Sequence, residues 1–521
     1  MLALLPCYAA AAPWNNMGRA FVLALLPCYA FAAPASDAVP KLPGWDKPLP
    51  SKVYSGFVDV SAAMGMDMKV HYLYHESEGD PAKDPTILWT NGGPGASSMF
   101  GVFVELGPLV LDERSTRTAA FEKTGVPSLF YNDYGWTQLG SVLMFDWPPP
   151  VGFSQCGDDP AGDGNACGDW DDERMARASY AALKGWFDLF PERRGNDLYL
   201  TGESYAGTAT GVHFERCRGE KWPNVVGIYV PKLVERILDD DAPTVRPQLK
   251  GFAVGDGCAG TEVLCGPVHV PWYKVIFFYG HGQVSNLLFD DIMDTCGMAY
   301  LRRGGAAPPG CQLLLDEIDA QVGGYFEYDL YDDCIYQEGL RRRLDAAPEL
   351  GGAVNDYYCG GGDAQTLWVN ASSVRDALHV PRAANFFNGD NGVGMNYSST
   401  EANVLPIYRR AAAAGLRSLV YNGDADPGIN SFVAQDWTAR LGYATTQTWR
   451  PWTLDGCKRM GGYVTRYEQR FDFLTIRGSG HMVPQFKPAA ALEFLRAWLD
   501  DADYLPYDAS CTAPPKLGAQ V

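Results

Sequence analysis

The chain is short of positive charge. Its 521 residues include 42 lysines and arginines against 62 aspartates and glutamates, a net charge of −20 (42 − 62). That balance argues against nucleic acid and against anionic membrane surfaces as partners. It suits a soluble protein of an acidic compartment, where protonation relieves self-repulsion. Beyond an N-terminal leader, no stretch approaches the length of a membrane-spanning helix. The C-terminus carries no ER-retention tetrapeptide. Metal ligands are also scarce. His71 and His75 lie four apart, but their setting, VHYLYH, puts them on one strand face with no acidic ligand set beside them. No metal and no organic cofactor is expected. With 47% apolar and 20% charged residues the chain is globular, not disordered.

Thirteen cysteines call for an oxidising compartment. The N-terminus supplies a route to one. Residues 17–35, MGRAFVLALLPCYAFAAPA, combine Arg19, an apolar run and a small-residue end, which reads as a signal peptide. Residues 2–9 and 23–30 are both LALLPCYA, so Met17 is the expected true start. The sequons at Asn370 and Asn396 agree with secretion and are candidate glycosylation sites.

The stretch 198–207, LYLTGESYAG, organises the rest. Leu198, Tyr199 and Leu200 suit a buried strand. Gly202 permits a sharp turn, and Ser204 stands where a nucleophile elbow lifts its serine above a sheet edge. Further strands are expected at 53–60, 69–76, 86–90, 141–146, 250–255, 418–421 and 473–477. Helical spacing marks 172–190, 369–379 and 489–499. Strands alternating with helices imply an α/β fold, with a mostly parallel sheet covered on both faces. The strand at 86–90 runs into Asn91-Gly92-Gly93-Pro94-Gly95, a loop whose bare backbone can approach a ligand. In serine hydrolases such a loop gives one oxyanion donor, here Gly93, and the residue after the nucleophile, Tyr205, gives the other. Asp424 or Asp426, and then His481, each follow a predicted strand. The order Ser…Asp…His is that of an α/β-hydrolase. His481 would take the serine proton, and the aspartate would orient the imidazole.

The motifs WTNGGPGASS (89–98), VELGP (104–108), GESYAG (202–207), YVP (229–231), NGDAD (422–426) and GSGHMVP (478–484), in that order, resemble the serine carboxypeptidases of the vacuolar and lysosomal type. YSGFVDV (54–60) and DWPPPVGFS (146–154) fit as well. The resemblance implies an α/β-hydrolase fold that removes residues from peptide C-termini through an acyl-enzyme. It makes Ser204 the nucleophile and His481 the base, and prefers Asp426 to Asp424 as the third member. It implies that Asn91, Glu105 and Glu203 bind the substrate's terminal carboxylate. Peptide binding should then weaken as pH rises, because close carboxyl groups hold a proton. The expected organisation is a leader at 1–35, a first core part at 36–256, an inserted lid at 257–365 and a second core part at 366–521. A homodimer is left open.

Two departures from the family pattern stand out. Ala96 stands where the family usually has a cysteine bridged to the lid. Residues 208–227 interrupt the join between GESYAG and IYVP, cutting the nucleophile helix after its first turn. Without the leader and Cys217, ten cysteines remain, an even number that suits a disulfide framework. Cys156–Cys167 and Cys258–Cys265 are the expected local pairs. A retained intron would account for 208–227. The competing readings are an acyltransferase on the same scaffold, and a scaffold protein whose site the insertion has broken.

Overall fold

The computed structural model describes residues 33–157, 165–204, 228–241, 245–246, 248–257, 259–261, 270–332, 334, 356–389 and 394–512. Tyr205, the 208–227 segment and the Cys258–Cys265 pair lie outside these residues.

A twelve-stranded mixed sheet forms the centre. Its strands are β1 (Ala38–Val39), β2 (Val53–Asp59), β3 (Met68–His75), β4 (Thr86–Thr90), β5 (Ser141–Phe145), β6 (Gln155–Cys156), β7 (Leu198–Glu203), β8 (Leu249–Gly255), β9 (Arg417–Gly423), β10 (Thr445–Thr453), β11 (Met460–Tyr467) and β12 (Phe471–Ile476). The spatial order is β1-β2-β3-β5-β4-β7-β8-β9-β12-β11-β10, with β6 paired to β3. The central run from β5 to β12 is parallel. Both flanks are antiparallel. The β10–β11 hairpin was not expected from the sequence. Its outer strand is largely exposed, so it lacks the continuous apolar run of a central strand.

The central strands bury both faces, and side-chain alternation sorts them into two cores. Leu88, Leu143, Leu200 and Val420 face one core. Ile87, Trp89, Met144, Tyr199 and Leu419 face the other. The first is covered by α1 (Asp172–Leu189), α2 (Tyr229–Asp239), α7 (Leu405–Ala413) and α8 (Ser431–Ala439). The second is covered by α6 (Gly361–Asn370) and α9 (Pro488–Leu499). Helix α1 starts cleanly because the Asp171 carboxylate accepts the Arg174 N–H. Burying one such leucine or isoleucine contributes roughly 1.5–3 kcal/mol, so these alternating strands supply much of the driving force.

Between β8 and β9 the chain leaves the sheet. Helices α3 (Pro271–Gly280), α4 (Asn286–Arg303) and α5 (Cys311–Val322) form a separate small core around Phe277, Ile292 and Ile318. Arg302 and Arg303 finish α4, and Cys296–Cys311 ties α4 to α5. Cys156–Cys167 pairs as expected, and Cys334–Cys359 and Cys457–Cys511 pair as well. No described helix is long and apolar enough to cross a membrane.

Candidate active site

The parallel strands all end on the same edge, and that edge carries the chemistry. Ser204 directly follows β7 and is buried. Its φ is +52°, a left-handed conformation that a non-glycine residue adopts only at a cost. Its N–H donates to Gly255 O at the end of β8 (2.8 Å), which holds the turn in place. Gly202 must be small there. A Cβ would sit 2.7 Å from Thr90 O on the neighbouring strand.

His481 follows β12, and Asp426 lies in the turn after β9; both are buried. His481 Nδ1 is 2.6 Å from Asp426 Oδ2. Asp426 Oδ1 accepts the N–H groups of Gly428 (2.8 Å) and Ile429 (3.2 Å), so the carboxylate cannot swing away. Asp424 instead accepts the Gly478 N–H (2.6 Å) and shapes the turn. His481 Nε2 is buried and has no hydrogen-bond partner among the described residues, which leaves it open as a proton acceptor. The His481 N–H donates to Tyr328 O (2.7 Å), and the Tyr328 ring meets the imidazole edge-on at 5.1 Å. Leu330 N–H donates to Ala425 O (2.9 Å). A short segment from the helical excursion thus clasps both the aspartate turn and the histidine loop. Sequence reasoning missed it, because nothing local in residues 326–330 signals a distant partner.

Glu203, the residue before Ser204, turns toward a second buried cluster. Asn91 Nδ2 donates to Glu203 Oε1 (3.0 Å) and to Glu105 Oε1 (2.9 Å). Asn91 Oδ1 accepts Trp89 Nε1–H (2.8 Å) and Gly101 N–H (3.1 Å), which fixes which end of the amide faces the acids. The close approach needs glycine at 101, where a Cβ would lie 2.6 Å from Asn91 Oδ1. Burial pushes the Glu105 carboxyl up to about 7. Burial, then the charges of Glu105 and Asp256, hold Glu203 well above the usual carboxylate range. Two buried carboxyls this close cannot both ionise, so the pair keeps a proton.

Gly93 lies in the loop after β4 with φ +118°, where a Cβ would come within 2.3 Å of Gly95 N. The loop is tied down on the far side. Gly389 N–H donates to Gly95 O (2.9 Å), and Ser97 N–H donates to Asn388 Oδ1 (2.9 Å). Ser97 Oγ donates to Asp146 Oδ1 (2.5 Å), and Asp146 Oδ2 is 2.9 Å from His71 Nδ1. The Ser55 hydroxyl lies 3.0 Å from His71 Nε2. His71 is therefore a strut behind the glycine loop. His75 is buried with neither ring nitrogen partnered among the described residues, and burial pushes it down to about 3.

One buried acid at this edge was overlooked in the sequence. Asp256 follows β8 and, with Asp426 and His481, places one ligand atom from each residue within 4.8 Å of the others. It sits just past a strand end, as Ser204, Asp426 and His481 do, and that position was its available signal.

A family model described as serine carboxypeptidase matches residues 43–212 and 226–501. The unmatched residues 213–225 fall inside the 208–227 segment. The lysosomal protective protein of Mus musculus is 31% identical over 501 residues, covering 90% of this chain and 94% of that protein. Serine carboxypeptidase-like 20 of Arabidopsis thaliana is 28% identical over 509 residues, covering 89% and 93%. A prohormone-processing carboxypeptidase from Saccharomyces cerevisiae shares the fold, with a TM-score of 0.60 at 18% identity, over 89% of this chain and 96% of that one. The fold defines an α/β-hydrolase. The chain belongs to the serine carboxypeptidase family, and its class is that of a serine-type exopeptidase.

Proposed function

We propose that Ser204, His481 and Asp426 cleave the last peptide bond of a substrate whose terminal carboxylate is held by Asn91, Glu105 and Glu203. The observation that carries this reading is adjacency. Glu203 and Ser204 are consecutive, so the carboxylate subsite and the nucleophile lie about one residue length apart, ~3.8 Å between their Cα atoms. A carboxylate anchored there can present only the terminal bond. Protonated Glu203 donates to the carboxylate, and Asn91 keeps both acids in place.

In the first step Ser204 Oγ attacks the scissile carbonyl carbon and its proton passes to His481 Nε2. Asp426 steadies the imidazolium. The Gly93 N–H, with that of Tyr205, stabilises the oxyanion, at roughly 3–4 kcal/mol per donor. The C–N bond then breaks, and His481 protonates the departing amino acid. Water next attacks the acyl-enzyme, giving its proton to His481. Ser204 leaves with that proton, and the shortened peptide is released. The helical excursion between β8 and β9, covering much of 257–365, acts as the lid. Four disulfides among the described residues suit the secretory pathway. A vacuole, a lysosome or the cell exterior is the proposed destination. Asn370 and Asn396 are both exposed and are the proposed glycosylation sites.

Amino-acid release from a blocked dipeptide at about pH 5 tests the reading. Release should be seen and should fall roughly 10⁴–10⁶-fold in Ser204→Ala. Release that survives the substitution would rule this site out. No release from the chain as given, but release from a chain joined from Gly207 to Ile228, would assign the failure to the insertion.

A further inference from the structure

Asp256 is buried in the active-site edge, and the mechanism above does not use it. It follows β8 with φ +44°, a conformation unusual for an aspartate. Its N–H donates to Tyr421 O (2.8 Å). Its Oδ1 accepts the Gly423 N–H (2.9 Å) and faces Asn422 Nδ2 (3.4 Å). Asp256 therefore braces the turn that delivers Asp426. Its other oxygen, Oδ2, is buried and receives no donor from the described residues.

The surroundings decide its charge. Asp426 faces it from the turn after β9, and His481 from the loop after β12. Glu203 at the end of β7 and Tyr421 on β9 lie within its electrostatic reach. Glu327 stands beside Asp426 and His481, and burial raises its own carboxyl. No lysine or arginine among the described residues forms an ion pair with it. Of the two adjacent aspartates, Asp426 has the support for a negative charge: two backbone N–H donors and the imidazole. Two such acids cannot both ionise. Burial and the Asp426 charge indeed hold Asp256 well above the usual carboxylate range.

We propose that Asp256 works as a positioning residue, offering its carboxyl hydrogen to Asp426 and so tempering the pull of Asp426 on the His481 imidazole. A carboxylate that accepts a further hydrogen bond is a weaker base, and the imidazole beside it loses its proton at lower pH. No bond other than the hydrogen bond is made or broken. The inference rests on His481 and Asp426 acting as proposed above.

The test uses an ester substrate without a free carboxylate, which leaves the Glu105–Glu203 pair out of the profile. Asp256→Asn keeps an acceptor for Gly423 and presents an N–H to Asp426, imitating the protonated acid. Its acid limb in kcat/KM should coincide with that of the wild type. Asp256→Ala should move the limb upward by about half a pH unit or more, roughly a threefold loss on the acid side. An Asp256→Asn limb displaced downward by about one unit would mean that Asp256 is ionised in the working enzyme, and would overturn the proposal. Limbs that coincide in both variants would reduce Asp256 to a structural brace and would also overturn it. If Asp256→Ala fails to fold, infrared spectroscopy decides. The Asp256→Asn protein should lose one carboxylic-acid C=O band present in the wild type at pH 5, and an unchanged band set refutes the proposal. That reading does not depend on turnover. If Ser204→Ala keeps full activity, the assignment of the site fails instead.

Discussion

Glu203 links the proposed carboxylate subsite to the proposed nucleophile in one peptide unit, because its side chain turns to Asn91 while its carbonyl leads into Ser204. Glu203→Ala removes the donor proposed to hold the substrate carboxylate. Turnover of a peptide with a free C-terminus should fall by about tenfold or more, while a simple ester loses little. Equal loss on both substrates would argue against carboxylate recognition and would favour an acyl-transferring relative. The pH dependence has a definite sign. Glu105, raised to about 7, is neutral below that value and charged above it. A charged Glu105 repels the substrate carboxylate, so KM should climb as pH passes about 7. A peptide KM flat from about pH 4 to 8 would refute this use of the acids.

Among elements, the loop after β4 and the Cys457–Cys511 bridge make separate predictions. Gly93 has φ +118° and no room for a Cβ. Gly93→Ala should therefore displace the loop that offers the oxyanion donor. We expect kcat to fall by roughly 10²–10³-fold with little change in far-UV circular dichroism. A variant with near-normal kcat would remove Gly93 from the oxyanion site. Cys457–Cys511 spans 54 residues and ties the β10–β11 turn to the segment beyond α9. Replacing both cysteines by serine should destabilise the protein by up to about 4 kcal/mol, read as a lower Tm, without changing kcat. A change in kcat would mean that this hairpin communicates with the site.

Across the whole molecule, burial raises many acids above their ordinary range. Glu105 and Asp329 are raised to about 7, and Glu203, Asp256, Asp424, Glu327 and Asp472 are raised as well. Each binds more protons folded than unfolded. Its stabilising effect is complete below the ordinary carboxylate value and is lost as pH rises through the folded value. His75, lowered to about 3, works in the opposite direction. Its contribution is complete above about 6.5 and is lost as pH falls through 3. Several acids outweigh one imidazole, and the net charge of −20 adds repulsion as they ionise. Tm should therefore be higher at pH 5 than at pH 8, and Glu105→Gln should flatten that slope. A Tm that rises toward pH 8 would contradict the buried acids as described.

Much of this protein is written in local pattern. The apolar runs at 86–90, 141–146 and 250–255 become central strands within a residue of their expected limits, because strands buried on both faces leave few places for polar residues. The order of Ser204, Asp426 and His481 after successive strands is legible for a related reason, since parallel strands deliver their ends to one edge. The sequence by itself determined the fold class and the family, and it supplied the proposed nucleophile, Ser204. Other features depend on contacts between residues far apart in the chain. The family resemblance prefers Asp426 to Asp424, and the tertiary structure brings Asp426 and not Asp424 to His481, although both follow the same strand and only the turn's hydrogen bonds distinguish them. Tertiary structure alone showed Tyr328 clasping the histidine loop and His71 bracing the glycine loop through Asp146 and Ser97. It alone gathered Glu105, Glu203, Asp256 and Asp426 into one buried edge, where desolvation and mutual repulsion set which acids keep a proton. Burial and proximity are properties of the packed molecule, and no spacing of residues along the chain encodes them.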